Sequence, residues 1–151
     1  MDWVEPIASS PGRLTIGGAP EGYDALILGE ALKKRGGTAL FIARDASRAA
    51  AFESAWQFFA PFIPALRLPA WDCQPYDRIS PSPRVAARRA ATLAWLAARN
   101  AADSSPLLII ATINAVTQKC APRGTMASRG FQAKPGEVTD LEALKVRRLR
   151  L

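Results

Sequence analysis

Two short runs of almost entirely apolar residues constrain this chain more than any other feature. Residues 38–43 read Thr-Ala-Leu-Phe-Ile-Ala, and residues 107–111 read Leu-Leu-Ile-Ile-Ala. Runs of this length and composition are typical of strands that are buried on both faces of a parallel sheet. They are much shorter than the roughly 20 apolar residues that cross a bilayer. We therefore expect residues 38–43 to form a central strand of a parallel sheet and residues 107–111 to form another buried strand.

Helical patterns alternate with these strands. Residues 23–35 place Ala25, Leu28 and Leu32 at helical spacing, and a Gly-Gly pair follows as a stop. We expect strands at residues 13–17, 38–43, 65–68 and 107–111. We expect helices over residues 23–35, from a cap at Asp45 or Ser47 to about 59, from Ser82 or Pro83 to about 99, and from a cap at Thr112 or Asn114 to near 120. This alternation predicts an α/β fold, a three-layer sandwich with a mostly parallel sheet.

The pattern changes after Pro122, and we expect a domain boundary near Gly124. Residues 1–124 would then form the α/β domain, and residues 125–151 the beginning of a small α+β subdomain. Within that second part we expect a strand over residues 125–133, a turn at 134–136 and an amphipathic helix over 139–150. Thr139 and Glu142 have the spacing of a capping box at the start of this helix.

The positive charge is concentrated near the end of the chain. The whole chain has a net charge of +7, and residues 119–151 hold 8 Lys/Arg against 3 Asp/Glu. One interpretation is a nucleic-acid-binding segment; the other is the end of a fragment that lacks its acidic neighbours. The residues of a possible basic contact surface are Arg129, Lys134, Arg147 and Arg148.

The cysteine and histidine content excludes several chemistries. There is no histidine, and the two cysteines, Cys73 and Cys120, are far apart in the sequence. A zinc site and catalysis by a histidine base are therefore not expected, and two separate thiols are typical of a reducing compartment. The first residues have neither a basic region nor a continuous apolar region of a signal peptide. We expect a cytoplasmic protein without a membrane segment, a cofactor or a catalytic group.

The first predicted strand runs into a glycine loop that resembles a phosphate loop only in part. Gly17 and Gly22 have the glycine spacing of GxxxxGK[ST], but Tyr23 stands at the lysine position and Asp24 at the Ser/Thr position. The lysine would reach the phosphates and the hydroxyl would hold magnesium, whereas an aspartate repels phosphate. We expect a nonfunctional loop. Residual nucleotide binding is the alternative, because the helix N-terminus favours an anion.

A proline-rich segment from residue 68 to residue 81 follows the third predicted strand, where α/β folds place ligand loops. It is either an ordered connector or a partner-binding loop. On the helix that follows, Arg89 lies within an apolar stripe, where an unpaired charge is costly. We expect Arg89 either to pair with Asp72 or Asp77 or to extend its charged end to the solvent.

Three motifs together resemble a known family. They are Trp71-x-x-x-Pro75-Tyr76-Asp77-x-x-Ser80-Pro81, then Arg89-x-x-x-Leu93-x-x-Leu96, then Leu108-Ile109-Ile110-Ala111-Thr112-Ile113-Asn114-Ala115-Val116-x-Gln118-Lys119. The sequence of residues 14–144 is similar to the N-terminal region of the bacterial transcription-repair coupling factor, Mfd. That region of the family resembles the damage-recognition subunit UvrB but lacks its ATPase motifs, which fits the degenerate loop at residues 17–24.

The resemblance implies a function in transcription-coupled nucleotide excision repair. The family recognises RNA polymerase stalled at a DNA lesion, displaces it by ATP-driven translocation along DNA, and recruits UvrA. The UvrB-like module supplies the UvrA-recruiting surface, and in the resting factor it packs against a C-terminal domain. The ATPase and the polymerase-binding domain lie further along the family's chain. This chain would therefore be a noncatalytic scaffold with a degenerate helicase-type domain.

The resemblance also implies where UvrA would bind. In the family the contact lies in the second subdomain, which begins near Met126 here, in a GExxxRGGxxDxFP-like region that would follow Leu151. Most of the UvrA surface is therefore expected outside this chain. A basic DNA-binding module that acts through residues 119–151 is the alternative function.

Overall fold

The computed structural model describes residues 4–9, 11–74, 78–129 and 136. Its helices are α1 (Val4–Ser9), α2 (Tyr23–Arg35), α3 (Ala46–Phe59), α4 (Pro83–Ala98), α5 (Ile113–Thr117) and α6 (Arg123–Arg129), and its strands are β1 (Thr38–Ala43), β2 (Ala65–Leu68) and β3 (Leu107–Thr112). The predicted helices from residues 23, 46 and 83 and the strands at 38–43, 65–68 and 107–111 are confirmed to within a few residues. A side-chain cap begins α3, since the Asp45 carboxylate accepts a hydrogen bond from the Arg48 N–H at 2.7 Å.

The three strands form one parallel sheet in the order β1-β3-β2. The central strand is therefore β3, and the prediction that residues 38–43 lie at the centre is wrong. Residues 107–111 of β3 are all buried, whereas in β1 Leu40 is 51% and Ile42 is 47% exposed. A run of six apolar residues is therefore also compatible with an edge strand whose side chains on one face remain exposed.

The core lies between one face of the sheet and helices α2 and α3. Its buried side chains are Ala25, Leu32, Ala43, Ala49, Phe52, Trp56, Ala60, Ile63, Leu108 and Ile110. The rings of Phe41 and Phe52 stack with their centroids 3.5 Å apart. The Trp56 indole N–H donates to the Ile63 carbonyl at 3.1 Å, so the polar atom of this buried ring is satisfied.

Helix α4 lies against β2. The Thr92 hydroxyl donates to the Arg67 carbonyl at 2.8 Å, which attaches the middle of α4 to that strand. Leu107 and Ile109 point to the opposite face of the sheet from Leu108 and Ile110, and they are buried as well. The chain therefore has an α/β fold built on a small three-stranded parallel sheet whose central strand is covered on both faces.

Two predicted elements are wrong. Residues 13–17 do not form a strand, and their apolar side chains Leu14 and Ile16 are about half exposed. Residues 125–129 belong to helix α6 and not to a strand, because Arg123 attaches this segment to the end of α4. The guanidinium of Arg123 donates to the carbonyls of Ala97 and Arg99 at 3.3 and 2.7 Å.

Other predictions for the end of the chain lie outside the described residues, namely the remainder of the strand to residue 133 and the helix over 139–150. The domain boundary near Gly124 stays a prediction. Among the helices that the structure describes, we find none with both the length and the apolar character needed to cross a bilayer.

Candidate functional site

The carboxyl ends of three parallel strands meet at one edge of the sheet, where open α/β folds bind their ligands. At this edge β1 leads into Arg44 and Asp45, β2 leads into Pro69, and β3 leads directly into α5. Both segments that the sequence singled out, the glycine loop and the proline-rich segment, lie beside it. They form two distinct sites.

The glycine loop has the local geometry of a helix entry. Gly22 precedes α2 with a φ of 86°, in the left-handed region that favours glycine. The Tyr23 N–H donates to the Pro20 carbonyl at 3.1 Å, which closes a turn, and the Asp24 carboxylate accepts a hydrogen bond from the Ala25 N–H of the first turn at 3.0 Å. The strand that precedes a phosphate loop is missing here, because residues 13–17 are irregular.

The Asp24 carboxylate forms an ion pair with the Arg48 guanidinium at this helix entry. Glu21 lies 3.9 Å from the same guanidinium, so one cation faces two carboxylates. These groups line a cleft of about 550 Å³ beside the end of β1, together with Ile16 and Ile42. Arg44 also lines the cleft, so its two carboxylates and two guanidinium groups balance formally, and the less exposed of the two cations, Arg48, is already engaged by carboxylates.

Arg48 is a residue of this site that the sequence patterns above do not indicate. Its position holds a signal that could have found it, since a cation in the first turn of a helix opposes the helix dipole and calls for a nearby anion. Arg48 is the third residue of α3. The neighbouring cap, Asp45, has a pKa below its ordinary value, mainly because the Arg48 N–H donates to it, with a smaller contribution from Arg44.

Arg89 organises the second site and is only 2% exposed. Its guanidinium donates to the Pro69 carbonyl at 2.8 Å, to the Ala115 carbonyl at 3.3 Å from both terminal nitrogens, and to the Gln118 carbonyl at 3.4 Å. The guanidinium also lies 5.2 Å from the centre of the Trp71 ring. One side chain of α4 thereby joins the end of β2 to α5 and the residue that follows it.

Two of the expectations for Arg89 are wrong. The side chain does not reach the solvent, and it bonds to backbone carbonyls where a pair with Asp72 was expected. Asp72 instead accepts a hydrogen bond from the Ser82 N–H at 3.0 Å. Hydrogen bonds from the Ser82 side chain and from its N–H hold the pKa of Asp72 below its ordinary value. The other expected partner, Asp77, lies outside the described residues.

The start of the proline-rich segment is fixed by a residue that the sequence reasoning did not single out for this role. The Trp71 N–H donates to the Gln118 side-chain oxygen at 2.8 Å, across 47 positions of the sequence. Ser80 is exposed, and Pro81 lines a cleft of about 660 Å³ with Trp71, Gln118 and Lys119. Pro75 and Tyr76 lie outside the described residues. The structure thus brings Trp71 and Arg89 together, and it places the glycine loop at a separate site.

The possible basic contact surface is mostly outside the described residues. Arg129 is the last residue of α6, and Lys134, Arg147 and Arg148 lie beyond the described part. Within the part that the structure describes, no group of three or more Cys, Asp or Glu residues converges on a possible metal site.

Comparisons with known proteins identify no relative. No protein-family model, no curated protein and no solved structure matches this chain. The resemblance to the coupling factor therefore rests on the three motifs, of which the structure describes all but Pro75, Tyr76 and Asp77.

Proposed function

We propose that this chain is a noncatalytic interaction scaffold, the N-terminal UvrB-like module of a bacterial transcription-repair coupling factor. Its α/β layer corresponds to a degenerate helicase-type domain that no longer binds nucleotide. In the whole factor the module recruits UvrA and packs against the C-terminal domain of the resting protein. DNA and RNA polymerase are partners of the whole factor through its other domains.

The observation that carries the noncatalytic part of this proposal is the ion pair between Asp24 and Arg48 at the glycine loop. A working phosphate loop presents a lysine and backbone N–H groups to the phosphates of a nucleotide. Here Tyr23 replaces the lysine, Asp24 brings a negative charge to the helix entry, and Glu21 adds a second one. A nucleotide would have to displace an internal ion pair and approach two carboxylates.

The motif that begins at Trp71 supports the same proposal. A segment used for recognition has to keep its shape without a ligand, because ordering it on binding costs conformational entropy. The first residues of this motif are held by the Trp71–Gln118 hydrogen bond and by Arg89, and its end is held by the Asp72–Ser82 hydrogen bond. This arrangement suits a scaffold and needs no catalytic group.

Calorimetric titration with Mg-ATP tests the noncatalytic part of the proposal. We expect no saturable binding up to about 1 mM, the range of the weakest specific complexes. The matched control is Asp24→Asn, which removes the negative charge and keeps the shape of the side chain. Micromolar binding by the unchanged protein, lost when Gly22 is replaced by a bulky residue in a chain that still folds, would contradict the proposal.

The coding sequence downstream of the Leu151 codon tests membership of the coupling-factor family separately. We expect it to continue into a GExxxRGG-like stretch and, later, into a complete GxxxxGKT motif. A stop codon at that point would contradict membership and would leave the absence of nucleotide binding as an independent result.

DNA binding through residues 119–151 is a second candidate function, favoured by the net charge of +5 in this segment. It requires an affinity for duplex DNA that falls steeply with salt, because counterions are released from the phosphates. Removal of residues 134–151 would then abolish binding. Under the scaffold proposal we expect no retardation of duplex DNA in a mobility-shift titration at about 50 mM salt.

A further inference from the structure

The edge of the sheet formed by β1 is open. Strand β1 pairs with β3 on one side, and none of the described residues forms a strand on its other side. Within residues 13–17, Ile16 lines the cleft at the carboxyl end of β1 with Ile42, and these residues donate no backbone hydrogen bond to β1. An open edge presents a row of unpaired N–H and C=O groups to another strand.

The composition of this edge lacks the usual protection against pairing. Edge strands of monomeric proteins commonly carry a lysine, a proline or a bulge that prevents association. The six residues of β1 contain no charge and no proline. Leu40 and Ile42 are about half exposed on the face of β1 that points away from the core. The strand therefore offers both backbone hydrogen bonds and apolar side chains.

The order of residues in β1 identifies the occupant. Residues 39–43 read Ala-Leu-Phe-Ile-Ala, which is nearly the same in both directions about Phe41. If two copies pair antiparallel about this residue, Ala39 lies opposite Ala43 of the other copy and Leu40 lies opposite Ile42. Residues opposite each other on two antiparallel strands share a face of the sheet. Leu40 of each copy then lies beside Ile42 of the other copy, and a two-fold axis relates these two contacts.

We propose that β1 is a self-association edge, on which a second copy of this chain adds its own β1 antiparallel to form a continuous six-stranded sheet. The core face agrees with this register, since Phe41 meets its own copy while remaining stacked on Phe52. The contact is small compared with the roughly 1,200–2,000 Å² of a stable interface. The dimer is therefore reversible and concentration-dependent.

Sedimentation equilibrium between about 5 and 500 µM tests for the dimer, a range suited to weak interfaces. We expect a monomer–dimer equilibrium that Ile42→Lys weakens by about tenfold or more, because a lysine on the edge strand opposes pairing. The matched control is Ile79→Lys, which places the same charge at an exposed isoleucine away from β1. A monomer throughout the range, or equal weakening by both variants, would overturn the proposal.

Disulfide cross-linking tests the register, and it does not depend on how well the lysine variant folds. In a Cys73→Ser and Cys120→Ser background, a mixture of Leu40→Cys and Ile42→Cys chains should cross-link on mild oxidation. The two positions lie opposite each other at about 4.5–5.5 Å between Cα atoms, which is within disulfide range. Either variant alone should cross-link much less, since each position is displaced by two residues from its own copy. Equal cross-linking in all three samples would contradict this register.

Hydrogen exchange of the β1 amides distinguishes a second copy from residues 13–17 of the same chain. We expect the protection of the outward-pointing amides to rise with protein concentration. Protection that is independent of concentration and lost on Ile16→Lys would assign the open edge to residues 13–17 and overturn the proposal.

Discussion

The carboxyl edge of the sheet holds two arginines in contrasting surroundings. Arg89 is 2% exposed and bonds to the neutral carbonyls of Pro69, Ala115 and Gln118. The side chain of Arg48 is 23% exposed and faces the carboxylates of Asp24 and Glu21. The comparison separates a fully buried charge that holds three segments together from a partly exposed charge that pairs with the carboxylates of a loop. We expect the first to contribute more to the stability of the fold, because the carboxylate partners of the second are themselves partly exposed to water.

The largest effect is expected at Arg89. Arg89→Met should lower the free energy of unfolding by about 3 kcal/mol or more, since several buried carbonyls lose their donor. Arg89→Lys should recover only part of this loss, because a single ammonium cannot reproduce the planar fork of the guanidinium. Urea denaturation followed by circular dichroism measures both changes.

The control for this prediction is Arg88→Met on the same helix. Arg88 is exposed, and we expect its replacement to change the free energy of unfolding by less than about 0.5 kcal/mol. Equal effects of the two replacements would show that Arg89 does not hold the segments together, and the contrast between the two arginines would fail.

A smaller effect is expected at the glycine loop. Asp24→Asn should lower the free energy of unfolding by about 1 kcal/mol or less, because its ion pair with Arg48 is partly solvated. A double-mutant cycle with Arg48→Met measures the coupling, which should shrink in about 1 M salt as the charges are screened. Arg44→Met is the control, since the Arg44 side chain is 84% exposed and its ion pair in the described part of the chain is with the adjacent Asp45. A coupling as large as the effect at Arg89 would contradict the distinction.

The smallest effect concerns acid stability. Hydrogen bonds from Ser82 lower the pKa of Asp72 in the folded protein, and a hydrogen bond from the Arg48 N–H lowers that of Asp45. A lowered folded pKa gives stability that is present above the unfolded value, near 3.9, and is lost as the pH falls through the folded value. We therefore expect the melting temperature to fall below about pH 4, and Asp72→Asn to reduce the slope of that fall.

A carboxyl-carbon NMR titration checks the cause directly. Ser82→Ala should raise the pKa of Asp72 towards its ordinary value and leave that of Asp45 unchanged, since the two carboxylates have different donors. If both pKa values moved together, a general electrostatic change and not the local hydrogen bond would explain the shift.

Local patterns predicted most of the elements but not how they are arranged. The glycine pair after Arg35 and the prolines around Ile63 act within a few residues, so the bounds of α2, α3 and β2 could be predicted from neighbours alone. Residues 13–17 have the pattern of a strand, yet a strand also needs a hydrogen-bonded partner. In the described structure these residues have none, although the edge of β1 is near them.

The residues of the candidate site could likewise be predicted only in part. The sequence indicated the degenerate loop, because Tyr23 and Asp24 can be read against a fixed spacing, and it indicated Arg89, because a charge lay within an apolar stripe. It could not indicate that Arg48 pairs with Asp24 across 24 positions, or that Gln118 holds Trp71 across 47. Such pairs depend on which strands become neighbours.

What the sequence determined by itself is most of the helices and strands, the absence of histidine chemistry and the loss of the phosphate-loop lysine, because each depends on residue type and local spacing. The tertiary structure decided that β3 and not β1 is central, that Arg89 bonds to carbonyls, and that β1 has no second strand partner among the described residues. These features follow from packing between segments that are distant in the sequence. When one strand occupies the centre of the sheet, another must lie at its edge, and a buried charge forms hydrogen bonds with whichever acceptors the fold brings close to it.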